Sequence, residues 1–125
     1  MNPETKLTQE EDTMLLIREV MYCKPGKVRP MVEKSLAMAK LMEKGGQGKM
    51  RVLTDLVSER YWTAIMEFEV KDLKEFEDMM AGVGMSDADN KEFEKVMTGY
   101  HDLVEYGKRE IYKIEQVPAP VGAGR

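Results

Sequence analysis

The chain has 125 residues, 42% hydrophobic and 34% charged, which predicts one globular domain rather than a disordered polypeptide. Its 19 Lys and Arg against 23 Asp and Glu give a net charge of −4, so it lacks the broad basic footprint of a nucleic-acid binder. A single Cys excludes an intramolecular disulfide and a multi-cysteine zinc site, and a single His leaves few designs for a metal site.

The two ends of the chain differ from its middle. Residues 1–12 are polar and acidic without an apolar stretch, which is unlike a secretory signal, and residues 118–125 are rich in Pro and Gly. Both ends are predicted to be disordered, around one domain over 13–117. No run approaches the length of a membrane span, and the unpaired Cys23 favours a reducing cytoplasm. We therefore expect a cytoplasmic protein without membrane or nucleic-acid partners.

The first predicted element is a strand, Thr13–Cys23, which ends at the turn signal Lys24-Pro25-Gly26. Both of its faces are mostly apolar, which predicts a strand covered on both sides. Alternation divides it into two sets of side chains: Met14, Leu16, Arg18, Val20 and Tyr22 on one face, and Leu15, Ile17, Glu19, Met21 and Cys23 on the other.

A helix and a hairpin follow. Apolar residues at steps of three and four predict an amphipathic helix over Lys27–Lys44, with Pro30 in its first turn and Gly45-Gly46 after its end. Lys49–Val57 and Tyr61–Val70 are predicted as antiparallel strands. In the second of these, alternation places five side chains on one face: Trp62, Ala64, Met66, Phe68 and Val70.

The last part of the chain predicts two helices and a strand. Asp72 begins a short helix that includes Met79 and Met80, and a glycine-broken loop follows it. Ser86 or Asp87 caps a longer helix, which is predicted to close at Gly107. Arg109–Val117 alternates as the fourth strand.

The predicted order β-α-β-β-α(α)-β is that of an α+β ferredoxin-like fold, a four-stranded antiparallel sheet with its helices on one face. The face without helices should be polar in a monomer. Leu or Ile residues of the first and third strands, together with Tyr61, remain there instead. A second protomer could cover them, so the sequence predicts a homodimer that pairs its sheets face to face.

At this point the chain resembles the dimeric α/β-barrel superfamily, nearest to its NIPSNAP-like branch with the antibiotic-biosynthesis monooxygenases as neighbours. The resemblance spans about Met14 to Val117 and is carried by Ile17-Arg18-Glu19, Tyr22, Lys24-Pro25-Gly26-Lys27 and Gly107-Lys108-Arg109-Glu110-Ile111-Tyr112. It implies a dimer with a cavity between sheet and helices, but no single reaction. Arg18 lies slightly farther from the turn than the family arginine, so either a bulge restores the register or Arg18 has another role.

Three residues are candidates for catalysis. His101 could be a general base or a haem ligand, or simply a partly buried helix histidine. Trp62 is similar to the strand tryptophan of cofactor-free and haem-degrading relatives, although the first strand lacks the Asn that those relatives pair with it; the alternative is a core aromatic. Arg18 completes the set through the family resemblance.

Two carboxylates and the thiol have less specific interpretations. Glu67 and Glu69 share one strand face and could bind a metal or share a proton, or form ion pairs with Arg18, Arg51 or Lys113. Cations near Cys23 could lower its pKa, but no His lies close to it in the sequence. No phosphate-binding loop, zinc-protease motif or calcium loop is present, and no cofactor is predicted.

The count of 12 Met is high for this length, and most of them fall on predicted inward faces. Methionine fills irregular gaps, so these residues indicate packing or a pliable pocket. The predicted pocket residues are Tyr22, Met66, Phe68, Met97 and Tyr100. Three functions stay open: a dimeric protein that binds a small apolar or aromatic molecule, a cofactor-free or haem-dependent monooxygenase, and a self-association module without catalysis.

Overall fold

A computed structural model describes residues 14–116. The predicted disordered segments at 1–12 and 118–125 lie outside that range. The described elements are β1 (Leu15–Cys23), α1 (Val28–Lys44), β2 (Met50–Thr54), β3 (Thr63–Val70), α2 (Leu73–Met80), α3 (Asp87–Met97), a short 3-10 turn (Tyr100–Asp102) and β4 (Val104–Lys113).

The four strands form one antiparallel sheet in the order β2-β3-β1-β4. β1 lies in the middle and pairs along almost its whole length with β3 on one side and β4 on the other. The predicted ferredoxin-like α+β fold is therefore confirmed. None of the β1 residues is exposed, whereas the edge strands β2 and β4 are largely exposed.

The core lies between the sheet and the helices. Ile17 and Val70 are completely buried there and pack with Phe68, with Met42 of α1 and with Phe76 of α2. A second cluster joins Cys23, Ala64 and Met31, with Met97 and Tyr100 against it. These contacts place α1, α2 and the α3 region on the face of β1 that carries Ile17 and Cys23, which agrees with the predicted alternation. We call it the helix face, and the opposite one the open face.

The last predicted helix is too long, because α3 ends at Met97. Thr98 leaves the helical conformation, and Gly99 has a φ of 83°, which favours glycine. Lys34 of α1 stabilises this end, since its Nζ donates hydrogen bonds of 2.8 Å to the carbonyls of Val96 and Thr98. His101 therefore lies in the 3-10 turn and not on a helix.

Gly107, predicted as a helix terminus, lies inside β4 opposite Met21 of β1. A Cβ atom at this position would come within 2.9 Å of the Val20 carbonyl oxygen and 3.0 Å of the Met21 sulfur. Glycine is thus required here by the close approach of two strands. The prediction was wrong because glycine ends helices and also permits such approaches, and sequence pattern does not separate the two roles.

The hairpin is also shorter than predicted. β2 ends at Thr54 and β3 begins at Thr63, with a loop between them. The Asp55 side chain accepts a 2.8 Å hydrogen bond from the backbone N–H of Thr63, which closes the loop. Trp62, predicted on the inner face of the strand, lies in the loop with a φ of 63° and is 42% exposed.

Within residues 14–116, no helix is long and apolar enough to cross a membrane.

We predict that Ile17→Ala lowers the free energy of unfolding by about 2 to 5 kcal/mol, because it opens a cavity between Phe68 and the helices. Denaturant titration followed by circular dichroism measures this change. Leu56→Ala is the control: Leu56 is 97% exposed, and its truncation should change stability by less than about 0.5 kcal/mol. Equal losses in the two variants would contradict the assigned core.

Candidate ligand cavity

A cavity of about 310 Å³ lies between the helix face of the sheet and the helices. Its volume is at the lower end of the range for small-molecule sites. Nine of the chain's 12 Met line it, and we call it the methionine cavity. They are Met21, Met38, Met42, Met50, Met66, Met79, Met80, Met85 and Met97.

The secondary structure explains this accumulation of thioethers. Met66 faces the helices because β3 alternates, and Met21 of β1 and Met50 of β2 share that face through the ladder register. Met38 and Met42 lie one turn apart on α1 and are both buried. The remaining four come from α2, α3 and the segment between them. The sheet and all three helices therefore contribute methionines to the cavity wall.

One end of the cavity carries a charge pair. Glu19 of β1 and Arg109 of β4 are direct cross-strand partners, and the Nε of Arg109 donates to the Glu19 carboxylate. The Arg109 guanidinium lies 4.9 Å from the centre of the Phe76 ring, within reach of a cation–π contact. The Glu19 side chain is only 15% exposed, so its pairing with Arg109 offsets the cost of burying a carboxylate.

A second, more polar cavity of about 380 Å³ adjoins the first. The two share Glu19, Met21, Tyr100 and Arg109 in their walls. The second cavity is completed by residues from the 3-10 turn and the start of β4, among them His101, Glu105 and Lys108. The apolar cavity is thus continuous with the polar cavity at the Glu19–Arg109 pair.

Four of the five predicted pocket residues line the methionine cavity: Met66, Phe68, Met97 and Tyr100. The fifth, Tyr22, lies on the open face, because β1 alternates. There its ring is 4.8 Å from that of Tyr106, and the Arg60 guanidinium lies 4.6 Å from its centre.

The three predicted catalytic residues are not brought together. His101 is exposed in the 3-10 turn and stacks on Tyr100, with ring centres 4.0 Å apart. Trp62 lies in the loop before β3, and Arg18 lies on the open face of β1. A register shift does occur in the β1–β4 ladder, between Tyr22 and Cys23, but it leaves Arg18 on that face. The monooxygenase hypothesis stays a prediction, and neither the methionine cavity nor the adjoining polar one is lined by all three residues.

Glu67 is the centre of an ion-pair network on the open face. It is 6% exposed and pairs with Arg18 at 2.8 Å and with Arg51, which faces it across the β2–β3 ladder. Arg18 also contacts Glu110 of β4 at 3.3 Å. The ion-pair alternative is therefore confirmed for Glu67, whereas Glu69 is exposed. No group of three His, Cys, Asp or Glu within residues 14–116 could hold a metal ion.

Cys23 does not have the environment of a reactive thiol. It is 3% exposed, and both burial and the nearby charge of Asp55 raise its pKa above the usual value. The cations that follow it in the sequence therefore do not lower its pKa. The thiolate is the nucleophile, so this environment favours a structural cysteine.

Sequence reasoning did not single out Glu19 and Arg109 for the cavity. Each carries a charge on a predicted strand, and Arg109 belongs to the segment that carried the family resemblance. Their pairing depends on β1 and β4 being neighbours, since the two positions are 90 residues apart in the chain. A charge on an otherwise apolar strand face was the available signal.

Comparisons with known proteins support the fold alone. No protein-family model and no curated protein matches the chain. Among solved structures, it is similar to an uncharacterized NIPSNAP-like domain protein from Burkholderia xenovorans, with 10% identity, a TM-score of 0.65 and coverage of 85% of this chain and 90% of that one. A NIPSNAP family protein of unknown function from Agrobacterium tumefaciens has 12% identity, a TM-score of 0.63 and coverage of 81% and 87%. A protein of unknown function from Nitrosomonas europaea has 16% identity, a TM-score of 0.60 and coverage of 90% and 99%. The chain has a NIPSNAP-like fold.

We predict that a thiol reagent labels Cys23 far more slowly in the folded protein than in guanidinium chloride, because the native thiol is buried and its pKa is raised. The native rate should climb about tenfold per pH unit while the pH stays below that pKa. Asp55→Asn removes one cause of the raised pKa but keeps an oxygen that can accept the Thr63 N–H, so labelling should become faster. Equal rates in the native and denatured protein would contradict this environment.

Proposed function

We propose that the protein is a homodimer that binds a small apolar or aromatic molecule in the methionine-lined cavity of each protomer. The observation that carries the ligand proposal is the cavity itself, a preformed space whose wall is largely thioether. The two NIPSNAP proteins compared above are described as uncharacterized and of unknown function, so the fold assigns no reaction.

The buried free Cys23 is compatible with a reducing compartment, and we propose that the protein is cytoplasmic.

The chemistry of methionine suits such a site. Its side chain is unbranched and polarisable, so a wall of methionines can adapt to ligands of different shapes and contact aromatic rings through sulfur. Phe68, Phe93 and Tyr100 add aromatic surface to the same wall. The expected occupant is held by apolar contact and not by a dense set of hydrogen bonds.

The cavity also has an accessible side. Met80 is 60% exposed and Phe93 is 38% exposed, although both line the cavity. They belong to α2 and α3, which are joined by residues 81–86, a segment that contains Gly82 and Gly84. A ligand could enter between these two helices without opening the sheet.

We predict that a neutral apolar fluorescent probe such as N-phenyl-1-naphthylamine binds the native protein and that Met97→Lys weakens its binding at least about tenfold. Met97 lines the cavity and is only half-buried, so a lysine there brings charge to the wall and can still extend toward water. Fluorescence titration measures the affinity.

The matched control is Leu56→Lys, which introduces the same charge at a position that is 97% exposed and not part of the cavity wall. Its affinity should equal that of the wild type. Equal weakening in both variants, or probe binding that Met97→Lys leaves unchanged, would contradict the assignment of the cavity as the ligand site.

The proposed dimer uses the open face of the sheet. Tyr112 and Tyr106 of β4 and Leu53 of β2 are 48%, 53% and 37% exposed there, although they are large and apolar. Between them lies the Glu67 network, whose charges already have partners within the protomer. A second open face could cover these side chains without leaving that carboxylate unpaired.

We predict that Leu53→Arg combined with Tyr112→Arg shifts the protein to a monomer, because four like charges would meet across a symmetric interface. Size-exclusion chromatography with light scattering measures the mass. Leu36→Arg is the matched control: Leu36 is 47% exposed but lies on α1, on the other layer of the fold, so this variant should stay dimeric. A monomeric wild-type protein would refute the dimer.

A further inference from the structure

We propose that the ligand of the methionine cavity has an apolar body and an anionic head group, such as a carboxylate, and that Arg109 binds the head. This inference rests on the proposed function, since it names the chemical class of the molecule in the same cavity. Three observations support it: Arg109 lies between the two cavities, only some of its N–H donors have partners, and the nearby carboxylates of Glu19 and Glu105 are already paired.

Arg109 stands at the junction of the two adjoining cavities and contributes to the wall of both. A molecule whose apolar part fills the methionine cavity would therefore place its other end next to this guanidinium. Glu19, Met21 and Tyr100 share the junction. Of these four residues only Arg109 carries a positive charge.

The donors of Arg109 are only partly used. Its Nε donates to Glu19, whereas its Nη1 and Nη2 atoms donate no hydrogen bond within residues 14–116. The ring of Phe76, 4.9 Å away, supports the guanidinium from one side. The edge formed by Nη1 and Nη2 can bind two carboxylate oxygens at once. The side chain is 43% exposed, so this edge is accessible to a ligand.

A cationic head group would have fewer accessible partners at the junction of the two cavities. Glu19 is 15% exposed and already accepts from Arg109. Glu105, in the wall of the polar cavity, is paired with Arg60 at 3.2 Å. A cation at Glu19 would lie beside the Arg109 guanidinium and would meet a carboxylate that is mostly covered. An anion can instead use Arg109 donors that have no hydrogen-bond partner within residues 14–116. The arrangement therefore favours an acid over an amine of the same length.

The test compares three molecules with one apolar chain and different heads: octanoate, octanol and octylamine. Isothermal titration calorimetry on the full chain at neutral pH measures each affinity. We expect octanoate to bind about tenfold more tightly than octanol, the contribution of a charge-assisted hydrogen bond, and octylamine to bind more weakly than both.

Variants of Arg109 and Glu19 identify the head-group site. Arg109→Gln should bring the octanoate affinity down to about that of octanol, because the two molecules have the same apolar chain and the head group loses its charged donor. Arg109→Lys should keep part of the advantage of octanoate over octanol, and Glu19→Gln should increase it, because the arginine charge is then no longer compensated. Arg29→Gln is the matched control, since Arg29 is exposed on α1 outside both cavities, and it should behave as the wild type.

The outcomes separate the two proposals. Equal binding of octanoate and octanol, or tightest binding of octylamine, overturns the anionic head group while the apolar cavity remains a binding site. Binding of none of the three overturns the ligand cavity as well. If Arg109→Gln does not fold, Arg109→Lys and Glu19→Gln are compared with the wild type instead. If neither variant changes the affinity for octanoate, the proposed role of Arg109 is refuted.

Discussion

The pairing of β1 with a neighbour on each side is the constraint on which the rest of the structure depends. Because a strand alternates its side chains, two full-length ladders assign every residue of β1 to one of two environments. Ile17, Glu19 and Met21 face the helices and contribute to the core or the methionine cavity. Arg18 and Tyr22 face the other way. A register shift of one residue would move each set of side chains to the opposite face, and both the core and the methionine cavity would lose their residues from β1.

The same pairing explains how two acidic side chains are accommodated near the centre of the sheet. Glu19 meets Arg109 of β4 on the helix face, and Glu67 meets Arg18 and Arg51 on the open face. Each carboxylate has an arginine on an adjacent strand, so neither is buried without a compensating charge. On the helix face the pair borders the cavity, whereas on the open face it forms the middle of an otherwise partly apolar surface.

The most informative differences between the predicted and observed elements lie where one residue type has two physical uses. Gly107 resembles a helix terminus in the sequence, yet it permits the close approach of β4 to β1. Gly99, two residues after the end of α3, has the positive φ expected of a residue that follows a helix. Trp62 continues the alternation of β3 in the sequence but lies before the strand, because Asp55 closes the loop onto Thr63. Local pattern fits both alternatives in each case, and the packing of distant segments selects one.

The sequence by itself determined the order of strands and helices, the faces of β1 and β3 and the inward position of most methionines, because these depend on periodicities of two and of about 3.6 residues within one segment. It also contained the correct alternative for Glu67. Only the tertiary structure decided that His101, Trp62 and Arg18 lie apart and that Arg109 meets Glu19 at the end of the cavity. Those relations join residues far apart in the chain, and they follow from the strand order β2-β3-β1-β4, which no local pattern encodes.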